Sequence, residues 1–193
     1  MRNRAKALFA IYFVLAFHTI ASSQTIASSQ EPIPFVPTPI PVVDRMLELA
    51  EVQKNDLIYD LGSGDGRILI QAAKKYGSRG VGVDLDPKMV EMAQTKAKEE
   101  GVSHLVEFRA GDGLQVDVSD ATVVTLYMFK WFNNEMRPKL QRLRPGARVV
   151  AHDFDIDDWK PTKIVSVHPD AQAGIDREHT LFLWKLDGSL PPP

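Results

Sequence analysis

The 193-residue chain contains no cysteine, which excludes disulfides, thiolate nucleophiles and cysteine-based metal sites. It also lacks an excess of either charge: 23 Lys and Arg against 25 Asp and Glu leave a formal net charge of −2. That balance gives no global drive toward nucleic acid or an anionic membrane, so a charged partner has to be recognised locally. Long apolar runs are missing too. The run Ala7–Phe17 would cover only roughly 16 Å as a helix, against a hydrocarbon core of about 30 Å. No acidic residue precedes Glu31.

What is present at the N-terminus has a recognisable order. Arg2, Arg4 and Lys6 precede the apolar run, and small residues including Ala21 and Ser23 follow it, the three-part pattern of a secretory signal peptide. Residues 1–23 are therefore read as a signal-peptide-like or anchor segment, which implies an exported or membrane-associated protein; mitochondrial or cytoplasmic location is the alternative. Residues 19–24, Thr-Ile-Ala-Ser-Ser-Gln, repeat unchanged at 25–30, and Pro32, Pro34, Pro37, Pro39 and Pro41 follow closely. Such a stretch cannot bury enough apolar surface to offset its ordering entropy. It predicts a flexible linker over 24–33, a folded domain over 34–188 and a tail over 189–193.

Within the domain the apolar pattern alternates between helical and strand periods. A helix is predicted from Pro41 to about Val52, then a strand at Leu57–Leu61, a helix from Arg67 to Tyr76, a strand at Gly80–Leu85 and a helix from Pro87 to about Glu100. Further strands are read at 105–110, 121–128 and 147–152, with a helix from about Asn134 to Leu143 stopped by Pro145-Gly146. This order predicts an α/β fold, a Rossmann-like doubly wound and mainly parallel sheet. After Phe154 the rhythm breaks: residues 163–168 and 179–185 read as two strands without a helix between them, an antiparallel C-terminal hairpin at the sheet edge.

The chemistry-bearing residues cluster after the strands. Asp60-Leu61-Gly62-Ser63-Gly64-Asp65-Gly66-Arg67 runs from the end of the first strand into a helix. Glycines at that place let the chain turn sharply and let a ligand touch backbone N–H groups at the helix start. The dinucleotide fingerprint would need its third glycine at position 67, which is arginine, and no Gly-Lys-Ser or Gly-Lys-Thr of a P-loop follows. Asp84 closes the second strand and is positioned to accept from both hydroxyls of a ribose. Asp86, just ahead of Pro87, suits a helix start instead. Gly111-Asp112-Gly113 follows the third strand, with Asp112 a candidate acceptor for an adenine amino group.

Taken together these motifs over residues 56–154 resemble the class I, seven-stranded methyltransferases. The resemblance implies S-adenosyl-L-methionine as cofactor, with Asp60, Gly62, Ser63, Gly64, Asp65 and Gly66 forming its loop, Asp84 at the ribose and Asp112 at the adenine. Pro34-Phe-Val-Pro-Thr-Pro39, the 60–67 string, Asp84-Leu-Asp-Pro87 and Arg148-Val-Val-Ala-His-Asp-Phe154 are similar to a small branch of protein-lysine methyltransferases that includes enzymes acting on the ATP synthase c subunit and the adenine nucleotide translocase. By that likeness Thr38 is a further cofactor contact and the partner is a protein presenting lysine. A small-molecule acceptor, or cofactor binding without catalysis, are the competing readings; no nucleic-acid partner is expected.

A lysine acceptor with a pKa near 10.4 must lose its proton before it can attack. Tyr127, His152, Asp153 and Asp155 lie at the ends of the fourth and fifth strands, and Asp153 and Tyr127 are ranked first as catalytic candidates. His152 reads better as a hydrogen-bonded structural histidine. Phe129, Trp131, Phe132, Asn133 and Asn134 offer aromatic and amide walls for an amine. Asp153, Asp155, Asp157 and Asp158 form an acidic segment suited to a basic substrate or simply to solvent. No metal-ligand spacing is visible, so no metal is expected.

Overall fold

The structure, a computed structural model, describes residues 35–168 and 177–188. The signal-like segment, the duplicated linker and the tail predicted from sequence lie outside the described residues. Among the described residues no helix is long and apolar enough to cross a membrane.

Five parallel strands form the centre: β1 (Leu57–Leu61), β2 (Arg79–Asp84), β3 (Val106–Ala110), β4 (Val123–Leu126) and β5 (Arg148–His152). β6 (Lys163–Val167) and β7 (His179–Lys185) complete a seven-stranded sheet in the order β3-β2-β1-β4-β5-β7-β6. β7 runs antiparallel to both β5 and β6, the C-terminal hairpin expected from the sequence. The helices are α1 (Ile40–Leu49), α2 (Arg67–Tyr76), α3 (Pro87–Glu99) and α4 (Lys130–Leu140).

The strands are apolar on both faces because both are covered. On one face α1, α2 and α3 bury Val42, Met46, Leu47, Leu69, Ala72, Val90 and Ala93 in one cluster with Ile58, Phe108, Val123 and Val150 of the sheet. On the other, α4 sets Phe132, Met136 and Leu140 against Tyr59, Leu61, Val124, Leu126, Val149 and Ala151. Neighbours in one strand thus serve opposite cores, as Ile58 and Tyr59 do. Each fully buried Leu or Met is worth about 1.5–3 kcal/mol relative to exposure, so the two clusters hold the strand ends in fixed positions.

Two differences from the sequence reading matter for the site. α4 begins at Lys130, four residues ahead of the expected Asn134, so Trp131, Phe132 and Asn133 are helical. The cause is the i, i+4, i+8 spacing of buried Phe132, Met136 and Leu140, which outweighs the weak helix preference of the aromatic residues. Between β3 and β4 the strand–helix alternation lapses: only a 3-10 turn, Gly113–Gln115, is present, with the Asp112 carboxylate accepting from the Leu114 amide.

Strand order reverses between β1 and β4, since β1 pairs with β2 on one side and β4 on the other. In open α/β sheets ligands bind in the crevice outside the carboxyl ends of strands at such a switch point. At the opposite edge, Arg148 closes the strand starts through a 2.7 Å ion pair with the buried Asp56 and a bond to the Ala50 carbonyl.

Candidate active site

The β1–α2 turn is the centre of the site. Gly62, Gly64 and Gly66 all take positive φ (79°, 51° and 79°), a conformation that side chains with a Cβ adopt at a cost. Gly62 and Ser63 both donate their amides to the Val83 carbonyl, and the Gly64 amide donates to Asp84 Oδ2 at 2.7 Å. Asp84 Oδ1 accepts from the Asp86 amide. Each oxygen of Asp84 therefore carries one backbone bond and keeps lone-pair capacity for a ligand. Asp86 caps α3 by accepting from the Lys88 amide, the helix-start role expected of it. A Cβ on Gly64 would stand 2.4 Å from the Phe35 ring, and one on Gly62 would stand 2.3 Å from Met128 Sδ. The turn is thus bare backbone walled by Phe35 on one side and Met128 on the other.

Three acids of this region have three different environments. Asp60, at the end of β1, is buried; Oδ1 accepts from the Thr125 hydroxyl at 2.6 Å while Oδ2 has no partner. Burial, aided by the charges of Asp84 and Asp65 and opposed by Thr125, pushes its carboxyl up to about 7. Asp65 is also buried, and burial alone would raise it, but Arg67 and Lys96 hold it at about 2. Its oxygens take two bonds from the Arg67 guanidinium (2.9 and 2.8 Å) and one from Lys96 (2.6 Å). Asp65 thereby ties α2 to α3, and its carboxylate is spent on those cations rather than open to a ligand. Asp112 is exposed, with one oxygen on the Leu114 amide.

Fit to a cofactor can be judged from unmet valency. Buried polar atoms are nearly always hydrogen-bonded, yet Asp60 Oδ2 and Ser63 Oγ, on the same turn, have no partner. An acceptor and a hydroxyl left open beside a bare glycine turn suit a ligand with a cationic, hydrogen-bonding end. These residues fit the amino-acid end of S-adenosylmethionine, and Asp84 fits its ribose.

A second cluster lies beyond β4 and β5. The Tyr127 ring lies against that of His152, centroids 3.9 Å apart. His152 is fully buried; its Nδ1 is 3.1 Å from the Thr38 hydroxyl and its Nε2 is 2.7 Å from Nδ1 of the equally buried His179. Thr38 is buried as well, and its carbonyl accepts from Arg67, so its hydroxyl is engaged with a histidine. Burial pushes His152 down to about 4 against the pull of Asp153, and the pair is neutral at pH 7. Asp153 sits in the left-handed region at φ 60°, fixed by its amide on the Thr180 carbonyl and by its Oδ1 accepting from the Thr180 amide. Its Oδ2 accepts from Arg177 at 2.6 Å, and the same guanidinium nitrogen donates to the Tyr127 hydroxyl at 3.1 Å. Burial would raise the Asp153 carboxyl, but the Thr180 amide and Arg177 hold it below its usual range.

Sequence reasoning brought Asp153, Tyr127 and His152 to this region, expected Thr38 at the cofactor, whereas its hydroxyl bonds His152, and missed His179 and Arg177. Nothing in their spacing marks them; they arrive through the antiparallel pairing of β7 with β5, which sets His152 opposite Leu181. The fold also gathers ligand atoms of His152, Asp153 and His179 within 4.8 Å of one another, a metal-capable set that linear spacing hid. The two histidines bond each other and Arg177 bonds the carboxylate. The acidic segment, read from the sequence as a substrate lure or a solvated loop, is largely neutralised: Lys130 pairs with Asp155 and Asp157, and Arg137 lies 3.7 Å from Asp158. Phe129 and Phe154 pack edge to face at 5.7 Å beside Tyr127, while Asn133 donates to the Phe154 carbonyl.

Comparison with known proteins agrees with this geometry. The family described as ANTKMT methyltransferase domain matches residues 60–163, more than half of the chain. A protein-lysine N-methyltransferase of Saccharolobus islandicus is 40% identical over 156 residues, 80% of this chain and 94% of the relative. The human lysine N-methyltransferase named for the ATP synthase c subunit is 32% identical over 158 residues, and the match spans 81% of this chain but only 62% of that protein. Among solved structures, an RNA methyltransferase from Salinibacter ruber in complex with S-adenosyl-L-homocysteine is 49% identical with a TM-score of 0.75, covering 82% of this chain and 98% of that one.

The state of Asp60 is measurable in the cofactor-free protein. Its folded value of about 7 lies above an unfolded value of about 3.9. The fold therefore favours the protonated form, and stability falls as pH rises from about 4 to about 7, then levels. Replacing it, Asp60→Asn, should flatten that fall, read as urea midpoints at pH 5 and pH 8. Equal pH slopes in the two proteins would contradict the assignment.

Proposed function

The chain belongs to the ANTKMT methyltransferase domain family, an S-adenosylmethionine-dependent methyltransferase, and on that premise we propose that it N-methylates a lysine side chain of a protein. The observation that carries the choice of acceptor lies at the ends of β4 and β5, where the Asp153 carboxylate and the Tyr127 hydroxyl, beside aromatic rings, both accept from one cationic nitrogen. The names of the Saccharolobus and human relatives support the same reading.

When bound, S-adenosylmethionine supplies an electrophilic methyl on a sulfonium, so the protein needs no nucleophile of its own. Its own residues bind and orient. Asp84 takes the ribose hydroxyls, Asp60 Oδ2 and Ser63 Oγ meet the amino-acid end, and the Gly62–Gly66 backbone lets that end approach. Asp112 is assigned to the adenine, and Thr38 acts at one remove, holding the proline-rich segment to His152. On the acceptor side the Asp153 carboxylate holds the amine and the Phe129 and Phe154 rings flank its chain. Tyr127 is raised by burial and by the charge of Asp153, and so stays a phenol that orients the amine rather than a base. His152, neutral at pH 7, adds no repelling charge. The amine's proton goes to solvent, and positioning supplies most of the rate.

A second reading follows from the Salinibacter structure, which is named as an RNA methyltransferase. Against it stand the net charge of −2 and an acceptor site built around a carboxylate, both unfavourable to a polyanion. We also propose that residues 1–23 direct export or membrane attachment, supported by the basic, apolar and small-residue order of that segment.

Incubation of the full chain with methyl-labelled cofactor and a cell lysate tests the acceptor: label is expected on protein as methylated lysine, and label confined to RNA or to small molecules would refute the reading. Fractionation with N-terminal sequencing of the mature protein tests the segment. Membrane or exported material is expected, and cytosolic protein retaining Met1 would refute it.

A further inference from the structure

Arg177 lies on the two groups assigned above to the acceptor amine. Its guanidinium reaches over the end of β5 and gives one nitrogen to both Asp153 Oδ2 and the Tyr127 hydroxyl, the two groups at the acceptor end. The contact is asymmetric in strength. Asp153 is fixed from behind by two bonds with Thr180 and is only 15% exposed, whereas the Arg177 side chain is 49% exposed. Another cation can take the exposed guanidinium's place without leaving the carboxylate uncompensated. Removing the guanidinium with nothing in its place leaves the mostly buried Asp153 Oδ2 facing only His152 Nε2 at 3.3 Å and His179 Nδ1 at 3.7 Å, with no permanent cation beside it among the described residues. Burial and Arg177 together keep the adjoining histidines low, so it is the guanidinium that supplies the charge facing Oδ2. Asp153 Oδ2 therefore favours a cation, and the chain's own cation there is half exposed.

We infer that Arg177 is a built-in stand-in for the acceptor ammonium: it occupies the acceptor subsite formed by Asp153 and Tyr127 and is exchanged for the substrate's primary amine. The inference rests on the lysine reading above. An arginine suits this role because its guanidinium is delocalised, stays protonated and has no nitrogen lone pair to offer; the bond to Asp153 raises its pKa further. It can hold the subsite without being consumed by the reaction. The subsite also adjoins the cofactor turn, since Tyr127 directly precedes Met128, whose sulfur lies against Gly62.

The test replaces the stand-in with a side chain that can react. In the full-length Arg177→Lys protein given S-adenosylmethionine, the amine at position 177 loses its proton to water, its N–CH3 bond forms as the S–CH3 bond breaks, and sulfur leaves as neutral S-adenosylhomocysteine. Peptide mass mapping should find added methyl mass at position 177. The rate should be independent of protein concentration and at least several-fold lower when Asp153→Asn is combined with it. In parallel, Arg177→Ala should methylate the probe N-acetyl-lysine amide several-fold faster than wild type. An unmodified position 177, or an Arg177→Ala protein no faster on the probe, overturns the inference. If wild type labels protein lysine in a lysate while position 177 stays unmodified, this inference alone fails; if neither lysine is labelled, the lysine reading fails with it.

Discussion

The bond from the Gly64 amide to the Asp84 carboxylate joins the two strand ends on which the cofactor side of the molecule is built. It fixes the β1–α2 turn to the end of β2, next to the Val83 carbonyl that receives the Gly62 and Ser63 amides. With the turn held there, three residues at positive φ expose backbone instead of side chain, and Asp60 Oδ2 and Ser63 Oγ are left buried without partners. A protein tolerates such unmet groups at a cost of about 1–3 kcal/mol each. Here two apolar clusters that pin the strands offset that cost.

Four carboxylates along the same sheet edge show how environment assigns roles to one chemical group. Asp60 is pushed up to about 7 by burial, Asp65 is held at about 2 by Arg67 and Lys96, and Asp153 is kept ionised by Thr180 and Arg177. Asp84 accepts two backbone amides and keeps capacity in reserve. The first and last suit a cofactor with a cationic end and a ribose, the second is a structural tie, and the third suits a cationic acceptor. Divergent environments for neighbouring titratable groups are characteristic of functional sites.

Much of this was legible in the sequence because it depends on local pattern. The alternation of helix and strand periods, the glycine spacing with Arg67 at position 67, and Asp86 ahead of Pro87 each act within a few residues, and the corresponding elements lie close to their expected bounds. What was not legible depends on pairing over long range. His179 reaches His152, and Arg177 reaches Tyr127 and Asp153, only because β7 lies antiparallel beside β5. The early start of α4 did have a periodic signal, in Phe132, Met136 and Leu140, but aromatic residues after a strand read equally well as a loop. Asp65 looked like part of the ligand turn because nothing local announces Lys96, 31 residues away.

The β1 and β2 strand ends, joined through Asp84, form the proposed cofactor site on which the rest of the chemistry stands. Calorimetric titration of S-adenosylmethionine into the cofactor-free protein tests it most directly, with Asp84→Ala measured beside the wild type. Saturable one-to-one binding is expected in the wild type, weakened at least tenfold in the variant, about 1.4 kcal/mol or more. No binding to the wild type, or equal affinity in the two proteins, would contradict it.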